Sequence, residues 1–262
     1  MKSRSNIEIR RARPLLGTIV DLSCDGPCDV GFAAIEKVHR LMNFHDSTSD
    51  ISRINRDAFG KSVCVHAWTW CVLKRAQEFA RESNGLFDIT APSKRTWRDI
   101  MLESNHTVRF RRRVIVDLGG IAKGFAVDRA VDALKQNGVT SGIVNAGGDI
   151  RVFGSTSREV HLRNPSWPLV SAGMLRLRER AIATSATYFT PRALINGQTR
   201  RPMTELVSVT VAARDCMTAD ALTKIVFVLR EKAAPLLARY HAGALLLERD
   251  GAPCWTFHAH AP

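Results

Sequence analysis

The 262-residue sequence lacks any apolar run of about eighteen residues, which excludes an ordinary membrane-spanning helix. Its N-terminus, MKSRSNIEIRRARPLLGTIVDL, is basic but has no apolar h-region followed by a small-residue cleavage site. It therefore does not read as a signal peptide, and a cytoplasmic chain is the expectation; a trimmed N-terminus would make it periplasmic. There is no linker rich in Pro, Gly or Ser, no low-complexity tract and no clear internal repeat, so one continuous globular unit over 1–262 is expected. Zinc-finger spacing is absent too. Of the six cysteines, Cys24 and Cys28 are close, but no second Cys or His pair accompanies them, which predicts free, mostly buried thiols.

Neither an aromatic-rich RNA-binding signature nor helix-turn-helix spacing is present. The net charge of +13, concentrated in RRARP at 10–14, RFRRR at 109–113 and TRRP at 199–202, therefore reads as solvated basic loops. Such charge attracts anions in general, and no nucleic-acid partner is expected from it.

What the chain has is enough apolar residue content, 45%, to bury a core without staples. LLGTIVDLS reads as a strand, Phe32 to Phe44 as an amphipathic helix, ISRIN as a short turn capped by Ser49, and Ala67 to Asn84 as a long helix stopped at Gly85. Strands follow at 107–118, 142–153, 159–164, 172–185 and 206–213. A helix then starts near Thr218, and a short helix and the strands GALLLER and PCWTF close the chain. Adjacent strands with helices laid between them predict an α+β fold.

Two glycine clusters stand out, DLGGIAKG at 117–124 and NAGGD at 145–149, each closing a β-like run, VIVDL or GIVNA. Glycine lets the backbone turn tightly and approach a ligand without a Cβ in the way. Between them Val127, Ala130, Val131 and Leu134 recur at helical spacing, predicting a helix from Ala122 to Gln136 with a stop at Gly138. Amides at that helix N-terminus, with Lys123 beside them, suit an anionic phosphate group. The plainer alternative is that both clusters only make tight turns.

Five segments in this order, LMNFHDSTSDISRIN at 41–55, GLFDIT at 85–90, DLGGIAKGFAVD at 117–128, VNAGGDI at 144–150 and TADALTK at 218–224, resemble the ApbE family of FAD-dependent protein flavinyltransferases. They fall between positions 16 and 230. The resemblance implies a T-fold-related α+β architecture, mixed sheets packed with helices, binding FAD between two halves. It implies transfer of FMN from FAD to a threonine or serine of an acceptor flavoprotein, with release of AMP and help from Mg²⁺, or alternatively Mn²⁺. Around the FAD it implies contacts from Leu16, His45 and the segment Phe87, Asp88, Ile89 and Thr90. It adds Gly119, Lys123 and Phe125 from the first glycine cluster and Asn145, Gly148 and Asp149 from the second, with Thr184, Ser185 and Leu194 later in the chain. For the metal it implies the Ala122 carbonyl and Asp220, with Asp220 and Lys224 as the catalytic pair.

Several of these residues have a plainer reading beside the functional one. His45 also suits a structural hydrogen bond, Asp88 and Thr90 an Asx or ST turn, Asp149 a turn, and Thr184 and Ser185 an ordinary strand end. Asp220 and Lys224 also suit an exposed i,i+4 ion pair worth about 0.3–0.5 kcal/mol.

The sequence departs from the family pattern in three places. Lys224 stands where a helix reading A-D-A-L-x-T places its second oxygen ligand, and an ammonium cannot ligate a cation. Thr223 lies about 100° around the helix from that position. In ALINGQTRRP at 193–202, Ala193 and Asn196 replace the histidine and aspartate of HIIDPRTGRP, and the segment between Thr90 and Asp117 is short. Two further functions therefore stand beside the transferase: an Mg²⁺-dependent FAD pyrophosphatase, and an FAD-binding protein that has lost its chemistry.

Overall fold

The alternation in TIVDLSC sets a strand whose Val20, Leu22 and Cys24 are buried while Ile19, Asp21 and Ser23 face the other way. In the computed structural model, which describes residues 8–93, 95–186, 194–205 and 207–258, this strand is β2 (Thr18–Cys24), preceded by β1 (Ile9–Leu15). LLGTIVDLS is thus not one strand, because Leu16 and Gly17 take φ of 56° and 71° and reverse the chain. RRARP is strand rather than loop; it forms the exposed sheet edge, where its charges and Pro14 are tolerated.

Next come α1 (Asp29–Met42), α2 (Asp50–Asp57), β3 (Val63–Cys64) and α3 (Ala67–Glu82). Ser49 caps α2 as its sequence predicts, accepting the Ser52 amide at 3.1 Å. The chain continues through β4 (Ile100–Leu102), β5 (Thr107–Phe110), α4 (Ala122–Gln136), β6 (Gly142–Ala146) and β7 (Asp149–Phe153). It then forms β8 (Arg158–Arg163), β9 (Ser171–Leu177), β10 (Ala181–Ala186), β11 (Ser208–Ala213), α5 (Cys216–Leu229), α6 (Ala234–Arg239), β12 (Gly243–Leu247) and β13 (Pro253–Phe257). The α+β expectation holds.

Eight strands form one antiparallel sheet in the order β1-β2-β6-β7-β10-β11-β12-β13, beside a three-stranded sheet, β3-β5-β4, and the hairpin β8-β9. The expected strands 142–153 and 172–185 are each two strands. Gly147 and Gly148 turn the first with φ of 63° and 99°, and Glu179 at φ 48° lies in the turn of the second. The expected strand 107–118 ends at Phe110. Beyond it the side chain of Asn55 brackets Val116, donating to its carbonyl at 2.9 Å and accepting its amide at 2.8 Å. The Asp117 amide goes to the Ile89 carbonyl at 2.8 Å. The first glycine cluster therefore closes an extended segment held by a side chain, not a ladder strand.

One face of the large sheet carries α1, α4 and α5, and the main core lies there, with Leu22, Phe32, Ile35, Val131, Leu134, Val144, Val209 and Ile225 fully buried. The opposite face buries a smaller cluster, Ile150, Val152 and Ile182 under Val160 and Leu177 of the β8-β9 hairpin. Cys24, Cys28 and Cys216 are buried and Cys64, Cys71 and Cys254 exposed, all as free thiols, so the mostly buried expectation holds for half of them.

Candidate active site

A cavity of about 1070 Å³ opens where the outer face of β2, β6 and β10 meets the loop 86–92, the glycine turn before α4 and the inner edge of β8. Period two places Ile19, Asp21, Ile143, Asn145 and Thr184 on this face because their neighbours Val20, Val144 and Ala183 point into the helical core. Of the residues expected around FAD, Phe87, Asp88, Ile89, Gly119, Lys123, Asn145, Gly148, Thr184, Ser185 and Leu194 line it, and so does Lys224.

Leu16, His45, Thr90, Phe125 and Asp149 are not among its lining residues. Leu16 sits in the β1-β2 turn, its amide bonded to His39 Nδ1 at 3.2 Å. His45 is exposed, with its ring edge-on to Phe44. Phe125 is buried in the core against Trp68. Thr90 is fully buried, its amide donating to Asp88 and its hydroxyl lying between Asp88 Oδ1 and the Arg95 carbonyl. Ala193 lies outside the described residues.

At the deep end of the site are four charged side chains. Lys123 at the start of α4 forms a short ion pair with Asp149, which begins β7 and is 1% exposed. Lys224 forms another with Asp220 Oδ1 and also donates to the Asp220 carbonyl at 3.0 Å. Asp220 Oδ2 accepts the Gly124 amide at 3.1 Å, so a carboxylate of α5 already occupies the head of α4 that was expected to stand free for an anion. The i,i+4 pair is not the exposed one of the plainer reading: Lys224 is 13% exposed and Asp220 is fully buried. Thr223 is turned away from the pair, sharing a 2.6 Å hydrogen bond with Ser185 and donating to the Asp220 carbonyl at 2.7 Å.

Burial alone would raise the Asp220 carboxyl, but the charges of Lys123 and Lys224 outweigh it and hold this group below the ordinary range. Burial and the neighbouring Asp220 push Asp149 up to about 6, against the pull of Lys123 and Lys224. Burial works against the Lys123 charge too, yet Asp149 and Asp220 raise it above the usual lysine value. The cluster thus holds two ammoniums in a desolvated corner, where their field is stronger than in water.

The GLFDIT segment is built by Asp88. Its Oδ1 accepts the Thr90 amide and hydroxyl at 2.8 Å each, the Asx turn of the plainer reading, while Oδ2 takes Arg200 at 2.8 Å and the Trp97 amide at 3.3 Å. Arg200, in the TRRP run expected to be a solvated basic loop, is instead held on this buried carboxylate. The Gly197 amide on the Leu86 carbonyl at 3.0 Å fastens that segment against the same loop.

Another buried carboxylate, Asp128, clasps α4 to α5. It accepts the Cys216 and Met217 amides at 2.9 Å each and Arg151 at 2.7 Å. Burial pushes it up to about 6 from an ordinary 3.8, although Arg151 and the amides pull the other way. Its folded pKa exceeds the unfolded one, so the native state holds more protons between them, and this group adds stability as pH falls through that window. Asp128→Asn is expected to shrink the gain in melting temperature on going from pH 7 to pH 5, read by thermal unfolding.

A profile described as the ApbE family matches residues 16–99 and 91–246. The chain belongs to the ApbE family. It is 27% identical over 239 residues to the FAD:protein FMN transferase of Vibrio cholerae serotype O1, covering 76% of this chain and 72% of that protein. It is 32% identical over 249 residues to the FAD:protein FMN transferase of Haemophilus influenzae, covering 77% and 72%. The crystal structure of the ApbE protein from Thermotoga maritima superposes with a TM-score of 0.85 at 26% identity, over 94% of this chain and 96% of that one.

An ApbE protein with these residues presents a hard cation with a poor set of donors. Among the described residues no group of three or more His, Cys, Asp and Glu side chains is placed to hold a metal ion. Asp220 spends Oδ1 on Lys224 and Oδ2 on an amide, and the Thr223 hydroxyl is engaged elsewhere. One carboxylate oxygen, Asp149 Oδ1, is buried without a partner. A divalent ion on Asp220 Oδ1 would share that atom with an ammonium, so these residues do not fit the magnesium that the resemblance implies.

Proposed function

We propose that this chain is an FAD:protein FMN transferase. A hydroxyl oxygen of an acceptor threonine or serine attacks the FMN-side phosphorus of FAD. The new O–P bond forms as the pyrophosphate P–O bond breaks, AMP departs, and the hydroxyl proton is released. The observation that carries the reading is that, in a chain of this family, one end of a cavity roomy enough for a dinucleotide combines the Gly119–Gly120 turn with Lys123 and Lys224.

Phosphoryl transfer asks little covalent work of a protein. It asks for positioning and for positive charge fixed where the leaving phosphate becomes more negative. Lys123 and Lys224 supply that charge and are themselves fixed by Asp149 and Asp220. Phe87, Ile89, Leu194 and the strand residues Asn145 and Thr184 supply the mixed apolar and polar wall that orients the rest of the ligand.

The test is chromatography of products from FAD with and without a candidate acceptor. AMP appearing only with the acceptor, in proportion to flavin-labelled protein, supports transfer. Free FMN plus AMP without an acceptor makes the chain a pyrophosphatase, and bound FAD with neither product makes it a binding protein.

A further inference from the structure

We propose that the Lys224 ammonium, seated on Asp220, is the cation that meets the pyrophosphate of FAD in this chain, so that FAD is bound without a divalent metal. The proposal rests on the FAD reading above and goes beyond it by naming the charge that replaces the metal.

Asp220 Oδ1 is already in contact with Lys224, from the same helix one turn on, so a metal ion on that oxygen would sit against an ammonium. The ammonium is anchored twice, on the carboxylate and on the Asp220 carbonyl at 3.0 Å, which uses two of its three N–H groups. The third remains for the cavity that Lys224 lines. Its Cε lies 3.6 Å from where a Cβ on Gly120 would sit, so the ammonium chain runs directly beneath the glycine turn.

Charge gives the second argument. Lys123 and Lys224 carry two positive charges in one cluster, the formal charge of one divalent ion, and Asp149 and Asp220 balance them. A dication on Asp220 would be placed against two ammoniums already in this desolvated corner, where like charges repel strongly. Adding a pyrophosphate instead brings anionic oxygens to ammoniums already held in place. The Thr223 hydroxyl agrees: it is engaged with Ser185 and with the Asp220 carbonyl rather than standing free as an oxygen ligand.

The experiment measures FAD affinity by flavin fluorescence in EDTA and again with Mg²⁺, for the intact chain and for Lys224→Thr, Lys224→Met and Lys224→Arg, with circular dichroism to establish folding. Mn²⁺ alone, followed by electron paramagnetic resonance, reports any metal held by the protein before FAD is added. The intact chain is expected to bind FAD equally in EDTA and Mg²⁺ and to leave the Mn²⁺ signal free. Lys224→Met is expected to lose about tenfold or more in both conditions, consistent with one lost charge-assisted hydrogen bond. Lys224→Thr loses as much in EDTA but recovers with Mg²⁺, while Lys224→Arg retains binding in EDTA. Binding by the intact chain that collapses in EDTA and returns with Mg²⁺ overturns the proposal and leaves the FAD reading standing. Absence of FAD binding in every condition overturns the FAD reading itself, and the proposal with it.

Discussion

Asp220→Asn lowers kcat/KM for FMN transfer roughly a hundred- to a thousandfold while the protein stays folded. Asp220 is fully buried and its two oxygens hold two different parts of the site, Lys224 from its own helix and the Gly124 amide from α4. An asparagine keeps the size and can keep one of these hydrogen bonds. It cannot keep the charge that fixes Lys224, and Lys123, still paired with Asp149, then shares the corner with an uncompensated ammonium. The positive end of the cavity loses its geometry, so the transition state suffers more than the fold does. A circular dichroism spectrum like that of the intact chain, with kcat/KM reduced, is the expected pair of results. A variant within tenfold of the intact chain would show that Asp220 is only a packing residue.

Gly124→Val has the larger structural consequence. A Cβ at this position would meet the Cys216 carbonyl oxygen at 2.3 Å, its carbon at 2.7 Å and the Asp220 Cβ at 2.9 Å. The first two are backbone atoms, so no side chain can rotate out of the way. The helices α4 and α5 must part, and the Gly124 amide leaves Asp220 as they do. Overpacking of this kind costs about 1–3 kcal/mol and more where backbone must move. Gly124→Val is expected to lower the melting temperature sharply and to abolish FAD binding. Gly120→Ala is the control, since its Cβ would meet Phe87 and Lys224 at ordinary contact distances of 3.5 and 3.6 Å. It should melt close to the intact chain. Equal melting temperatures for the two variants would contradict the close α4-α5 contact.

The parts of the fold written in local sequence were legible. Helix α4 runs over Ala122–Gln136 as its apolar spacing predicts, and Gly138 ends it at φ 81°. What failed to show was decided far along the chain. VIVDL looks like a strand, but its Val116 is captured by Asn55, a residue 61 positions away. Arg200 looks like a solvent-facing basic residue, but its partner Asp88 lies 112 positions away. Leu16 takes a left-handed turn conformation that a leucine does not advertise.

The candidate site was legible in the same uneven way. The glycine clusters, Lys123 and the Asp220 helix were visible as separate segments, and periodicity placed Asp220 and Lys224 on one helix face. That this face is buried was not visible, because burial comes from α4 packing across it. The last glycine of GGIAKG, Gly124, carried the signal: a glycine in the first turn of a helix marks a backbone that something approaches closely, here Cys216 and Asp220. Thr90 and Asp88 went the other way, their hydrogen bonds spent on the loop they shape.

The proposed reaction moves FMN intact onto a protein hydroxyl. Intact mass spectrometry of an acceptor domain after incubation with FAD, followed by fragmentation to locate the modified residue, tests it most directly. The account predicts a mass increase of one FMN joined as a phosphoester to a single threonine or serine, with an equal amount of AMP, and no increase when that residue is changed to alanine. An unmodified acceptor beside accumulating free FMN and AMP would contradict it.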